Sequence, residues 1–316
     1  MTVVSAKTAP EAPGVGSRPK RRKRERQGWL AFWLLLPAAV AVFGVILYPI
    51  FRTVLVSLFQ VSSALATVTP FVGFGNYAQA LSESQFWDSL GRTLYFTIVS
   101  TILELVIGLG VALLLNAKIK ARWLFRTIVV IPWAIPTIVN AAMWKGIYNA
   151  QYGALNALLT QLGILHEYKA WLGDPFTALN AVIVADAWKT IPLVAFFILA
   201  GLTAIPGELY EAARVDRASP WRIFRSIMLP LLVPAISIVL VLRTVEAFKV
   251  FDIIYAMTGG GPVNGTSTIA FFAYVRAFSD QNFGVGSALS IIIVMVILAL
   301  TAIYLRLLRK SEMSLL

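Results

Sequence analysis

The sequence predicts an all-α membrane protein: six transmembrane helices, both termini on the cytoplasmic side, and a polar loop between the fourth and fifth spans. Three observations carry this. Of the 316 residues, 59% are hydrophobic and only 13% are charged, where a soluble domain carries about a quarter. Mean hydropathy is +0.78, so lipid rather than a globular core is the expected solvent. Six segments reach the roughly 20 apolar residues that a spanning helix needs, and the basic residues cluster on alternate connections between them.

The chain opens with a basic tail over residues 1–28, rich in Pro, Gly and Arg and poor in apolar side chains, and so expected to be disordered. Its Lys20–Arg26 run directly precedes the first apolar segment, Trp29–Phe51. That placement is the positive-inside signal, which also removes the need to read the +12 net charge as nucleic-acid binding. The segment is too long for a signal-peptide core of roughly 7–15 residues, so it reads as a retained span. A long outer connection, Arg52–Ser89, follows; its Gly73-Phe74-Gly75-Asn76-Tyr77 stretch is expected to form a short cap.

The remaining spans are Leu90–Leu115, Leu124–Ile147, Leu179–Leu202, Leu229–Met257 and Val285–Leu308. The third holds Pro132 and Pro136 and is expected to be kinked. The connections assigned to the inside, with the two termini, hold 19 of the 27 Lys and Arg residues, which orients the chain N-in, C-in. Residues 309–316 form a short cytoplasmic C-terminus. Six spans make the chain a multi-pass membrane protein.

The fifth span carries Arg243, Glu246, Lys249 and Asp252, alternating in sign and three residues apart. Side chains at that spacing meet on a helix, so the set is expected to neutralise itself as a ladder. Each charge costs about 2.5–3.5 kcal/mol at the bilayer centre, which turns the ladder toward the bundle interior or a water-filled cavity. The two readings are a wall along a solute pathway and a structural ion-pair ladder. Phe248, Phe251 and Tyr255 interleave with it, and aromatic faces beside polar groups suit sugar rings. Asp186 and Lys189 repeat the three-residue spacing in the fourth span, flanking Trp188. Glu104 in the second span has no local partner; it is neutral, paired across helices, or a site of proton coupling.

The chain has no cysteine and one histidine, His166, so it offers no metal site. No phosphate-binding Gly-x-x-x-x-Gly-Lys-Ser/Thr loop occurs. Gly259-Gly260-Gly261-Pro262 reads as a helix stop and tight turn instead. If ATP supplies the energy, another chain binds it.

Residues 203–229 form the polar insert. Pro206 and Glu208 start a short helix, which an acidic residue near its N-terminus suits. Ser219-Pro220 starts a second, with Ser as cap and Pro as first residue. Leu229-Pro230 is expected to turn the chain back into the membrane. Two short surface helices make a knob for a cleft in a soluble partner, the means by which a membrane domain receives force.

The stretch Glu211–Pro230 resembles the Glu-Ala-Ala loop of permease subunits in binding-protein-dependent ABC importers, through Glu211, Ala212, Ala213, Asp216, Ala218, Ser219, Phe224, Leu229 and Pro230. Gly73–Tyr77, Trp188-Lys189, and the run from Arg243 through Phe251-Asp252 to Gly259-Gly260-Gly261-Pro262 look like the carbohydrate branch, related to maltose, trehalose and glycerol-phosphate permeases. The resemblance implies half of a translocation pore, completed by a second permease that is a different chain. It further implies two cytoplasmic ATPase subunits holding ATP and Mg, an extracytoplasmic solute-binding protein, and a sugar as substrate. This chain would itself be non-catalytic. Glu211, Ala212, Ala213, Asp216, Arg217 and Ala218 would contact the ATPase. Asp186, Lys189, Arg243, Glu246, Phe248, Lys249, Phe251, Asp252 and Tyr255 would line the substrate pathway. Arg217 stands where the family usually has Gly. A Gly there allows a bend with positive φ, which Arg adopts only at a cost; Arg217 instead offers a charge to the partner. An ion-gradient-driven secondary transporter using Glu104 or Asp186 is the alternative.

Overall fold

The computed structural model describes residues 21–63, 69–117 and 120–313, and these are helical apart from turns and one isolated bridge between Phe59 and Phe71. The chain forms two compact units, residues 1–52 and 53–316. Five single helices are long and apolar enough to cross a membrane: Phe32–Ser57, Ser84–Asn116, Pro175–Thr203, Pro220–Phe248 and Phe283–Tyr304. The segment expected as the third span is a bent pair, Arg122–Ala134 and Thr137–Ile147, which brings the candidates to six when the pair counts as one span. The first helix starts at Arg21, inside the stretch expected to be disordered as far as residue 28; residues 1–20 lie outside those described.

Within residues 53–316 the burial pattern is inverted relative to a soluble helix. The second span buries Ser89, Thr93, Thr97, Ser100, Thr101 and Glu104, while Ile98, Ile102 and Val106 stand exposed. Apolar side chains outward and polar ones inward is the arrangement that lipid imposes. The fourth span packs against the second, the fifth and the first half of the third. Small residues let the backbones approach. A Cβ on Gly108 would lie 2.7 Å from Val194 Cγ1, and one on Gly201 would lie 2.8 Å from Ala235 Cβ.

Two spans differ from their expected form. The third is a break of 93° rather than a kink. Pro136 pushes the residue before it out of the helical region, and Ile135 accordingly has φ −74° and ψ 129°. The fifth helix stops at Phe248 instead of running to Met257, and a six-residue helix resumes at Asp252. The freed Val250 carbonyl accepts from Thr268 Oγ1 at 2.9 Å, so the break leaves that group satisfied. An apolar helix at Ile269–Ser279, too short to be read as a span, lies between the glycine turn and the sixth span. In that turn Gly259 and Gly260 have φ of 58° and 80°, as a helix stop requires.

The expected cap is present as the helix Gly75–Ser82. Asn76 Nδ2 donates to the carbonyls of Ser57 (2.8 Å) and Phe59 (2.9 Å), tying the cap to the end of the first span's helix. In the polar insert, the helix Gly207–Val215 carries Glu208 in its first turn and Arg214 in its last, both favourable to the helix dipole. Ser219 caps the next helix, its Oγ accepting from the Arg222 amide at 3.3 Å. That second helix is not a separate knob. It runs through a π-helical turn, Phe224–Met228, into the fifth span, and Leu229-Pro230 makes no turn: the proline directly follows the π-helical turn, where the regular hydrogen-bond ladder is already displaced.

Candidate functional site: a charged cleft between three broken or crossing spans

The fourth and fifth spans and the bend of the third enclose a cleft of about 580 Å³. Its lining includes Asp186, Lys189, Arg243, Glu246, Lys249, Phe251 and Asp252, seven of the nine residues expected along a pathway. The four-charge ladder does not form as such. Arg243 turns away from Glu246 and binds across helices. Its Nε and Nη2 fork onto Glu104 of the second span, with Nη2 to Oε1 at 2.7 Å, and Nη2 also donates to Asp186 Oδ2 at 3.2 Å. Glu104 is wholly buried and thus belongs to the paired-across-helices reading. Two parallel N–H···O bonds are the strongest form of this pairing.

Glu246 and Lys249 do pair at 3.0 Å, but both are about half exposed. Asp252 joins no ion pair among the described residues, because the helix break turns it away from Lys249. It occupies the first turn of the resumed helix, where a carboxylate is favoured. Asp186 and Lys189 do not pair with each other. Lys189 Nζ donates to Thr137 Oγ1 at 2.8 Å, reaching the first residue after the break in the third span.

Two expected residues are elsewhere. Phe248 has no exposed surface and packs in a core with Phe86, Phe272 and Leu289. As the last residue of the fifth helix it faces the bundle, not the cleft. Tyr255 is half exposed and lies outside the cleft, stacked on Phe251 with ring centroids 5.5 Å apart and in contact with Tyr274. Sequence reasoning missed Trp133 and Thr137, which reach the cleft only because the third span breaks between them. Pro132 and Pro136 were the available signal.

At the insert, Glu211, Ala212, Asp216 and Arg217 are exposed, Ala218 is half-buried and Ala213 is buried. Arg217 has φ 54°, the left-handed conformation that Gly would adopt. The Arg217 amide donates to the Arg214 carbonyl at 3.1 Å and the Ala218 amide to the Ala213 carbonyl at 2.9 Å. That pair of bonds is a Schellman ending, so the bend is made with Arg in the glycine position. Tyr210 turns inward from this helix. Burial pushes its phenol above the ordinary range, and its Oη has no hydrogen-bond partner among the described residues.

Comparison with known proteins now places the chain. Residues 104–312 match the family described as binding-protein-dependent transport system inner membrane component. The chain is 42% identical over 281 residues to the trehalose/maltose transport system permease protein MalF of Thermococcus litoralis, covering 89% of this chain and 94% of that one. It is 38% identical to the sulfoquinovosyl glycerol transport system permease protein SmoG of Agrobacterium fabrum, covering 90% and 91%. Its fold matches a chain of a bacterial alginate ABC transporter solved in complex with an alginate pentasaccharide-bound periplasmic protein. There the TM-score is 0.80 at 22% identity, covering 92% of this chain and 97% of that one. The chain therefore belongs to the binding-protein-dependent transport system inner membrane component family, as a multi-pass protein of the prokaryotic inner membrane.

Proposed function

We propose that this chain is one permease half of an ATP-driven sugar importer and that the charged cleft is part of the solute path. One observation carries the second claim: a 580 Å³ cleft that gathers polar side chains from two spans and the break of a third. Intramembrane charge facing a cavity marks a pathway by default. The cleft offers paired charges as hydrogen-bonding groups and two aromatic faces, Trp133 and Phe251, which suit a polyhydroxylated ring. The relatives' sugar substrates support that class.

In this reading both termini are cytoplasmic. Residues 203–229 meet an ATPase through Glu211, Ala212, Ala213, Asp216, Arg217 and Ala218. Two such ATPase subunits bind the ATP and Mg, and this chain catalyses nothing. A second permease of a different sequence completes the pore. A solute-binding protein delivers the sugar from outside, which the family's binding-protein dependence supports. ATP-driven closure moves the insert, and the pore switches from inward- to outward-facing. The ion-coupled alternative loses one of its two candidate carboxylates, since Glu104 is committed to Arg243, and keeps Asp186.

Glu211→Lys tests the docking claim. Stripping a charged interface contact of its partner costs about 2–5 kcal/mol. The variant should insert normally, yet lose co-purification of the ATPase or uncouple hydrolysis from uptake. Normal co-purification together with normal uptake would sink the docking role.

A further inference from the structure

Arg243 has one positive charge for two carboxylates, and the two are not equivalent. Glu104 takes both arms of the guanidinium from the buried side, where no solute reaches it. Asp186 keeps a single bond of 3.2 Å through Oδ2, lines the cleft, and its Oδ1 accepts no hydrogen bond among the described residues. Elsewhere in the cleft Glu246 and Lys249 cancel each other. Lys189 and Asp252 supply one charge of each sign. With Glu104 counted, these groups sum to one negative charge, and Arg243, shared between two carboxylates, leaves Asp186 only partly compensated.

We propose that Glu104 is a positioning residue: by holding Arg243 from behind, it leaves Asp186 as an under-compensated acceptor that selects neutral, hydroxyl-rich solutes over anionic ones. This rests on the cleft being the solute path. A carboxylate accepts from a sugar hydroxyl about twice as strongly as a neutral group does. The same charge, in a cleft walled by apolar helices, repels an anion. Without Glu104, Arg243 would turn its whole charge onto Asp186 and cancel it.

The test uses the absence of native cysteine. Leu193→Cys places a single thiol in the cleft lining. The complete transporter in nanodiscs is labelled with a cationic and an anionic methanethiosulfonate of similar size. The cationic reagent should react faster by about tenfold, the scale expected for one nearby charge in a partly desolvated cleft. Glu104→Gln should bring the ratio toward one. Adding Arg243→Gln should restore it, because Asp186 is then uncompensated; a purely structural role for Glu104 would not reverse in this way. If Glu104→Gln alone does not assemble, the double variant should keep the high ratio and Asp186→Asn should lose it. An unchanged ratio in Glu104→Gln, or equal ratios in the double variant and Asp186→Asn, overturns the proposal. Trehalose, as the neutral probe, should protect the thiol, and a uronic-acid disaccharide should not. Equal protection by both removes the selectivity. Protection by neither, with the charge ratios as expected, removes the sugar reading and leaves the charge arrangement standing.

Discussion

Arg243→Gln is the sharpest test of how this membrane domain is held together. The substitution keeps a polar side chain of moderate length but removes the charge that joins the second, fourth and fifth spans. Glu104 is fully buried and cannot turn to water, and the side chains of Arg243 and Asp186 are only 8% and 15% exposed. Breaking a buried ion pair by removing one partner costs about 3–5 kcal/mol. For a domain of this size that corresponds to a fall of roughly 10 °C in Tm. Thermal unfolding of the assembled transporter in nanodiscs measures it. Two controls fix the interpretation. Lys249→Gln breaks a pair that is about half exposed and should cost less than about 1 kcal/mol. The double variant Glu104→Gln, Arg243→Gln should recover part of the loss, because it removes the fully buried one of the two stranded carboxylates. A Tm for Arg243→Gln within a degree or two of the parent, or equal to that of Lys249→Gln, would refute the reasoning.

Gly108→Ala should destabilise by about 1–3 kcal/mol, since the added methyl meets Val194 at 2.7 Å, and a second change, Val194→Ala, should recover part of it; purely additive losses in the thermal unfolding of the pair would contradict this contact. Arg217→Gly should keep the insert's bend and slow amide exchange across residues 212–218 a few-fold, by relieving a left-handed Arg at about 1 kcal/mol. If instead Arg217→Gly impairs uptake and Arg217→Lys does not, Arg217 supplies charge to the partner rather than geometry.

What the sequence disclosed follows from what is local. Six apolar runs, the Gly73–Tyr77 cap, the Gly259–Pro262 stop and the Ser219-Pro220 helix start all depend on neighbouring residues, and all are found. The charge pairing was not local. Glu104 and Arg243 lie 139 positions apart, and only the packing of two helices brings them together. The regular spacing of Arg243, Glu246, Lys249 and Asp252 suggested one continuous ladder because it assumed a continuous helix. Once the helix ends at Phe248, spacing by three no longer means a shared face. That same ending sends Phe248 into the core and Phe251 into the cleft. The third span shows the opposite error. Its prolines were noticed, but a 93° break rather than a kink is what admits Trp133 and Thr137 to the site.

The account's central claim is that solute passes through the cleft between the fourth and fifth spans and the broken third. Single cysteines at positions 251 and 248 test it most directly. Phe251 lines the cleft and Phe248 has no exposed surface. In the assembled transporter, a polar thiol reagent should label the Phe251→Cys variant and leave the Phe248→Cys variant unreacted. Labelling of the first should slow when the transported sugar is present. Equal labelling at both positions, or no labelling at Phe251→Cys with and without ATP, would contradict the pathway.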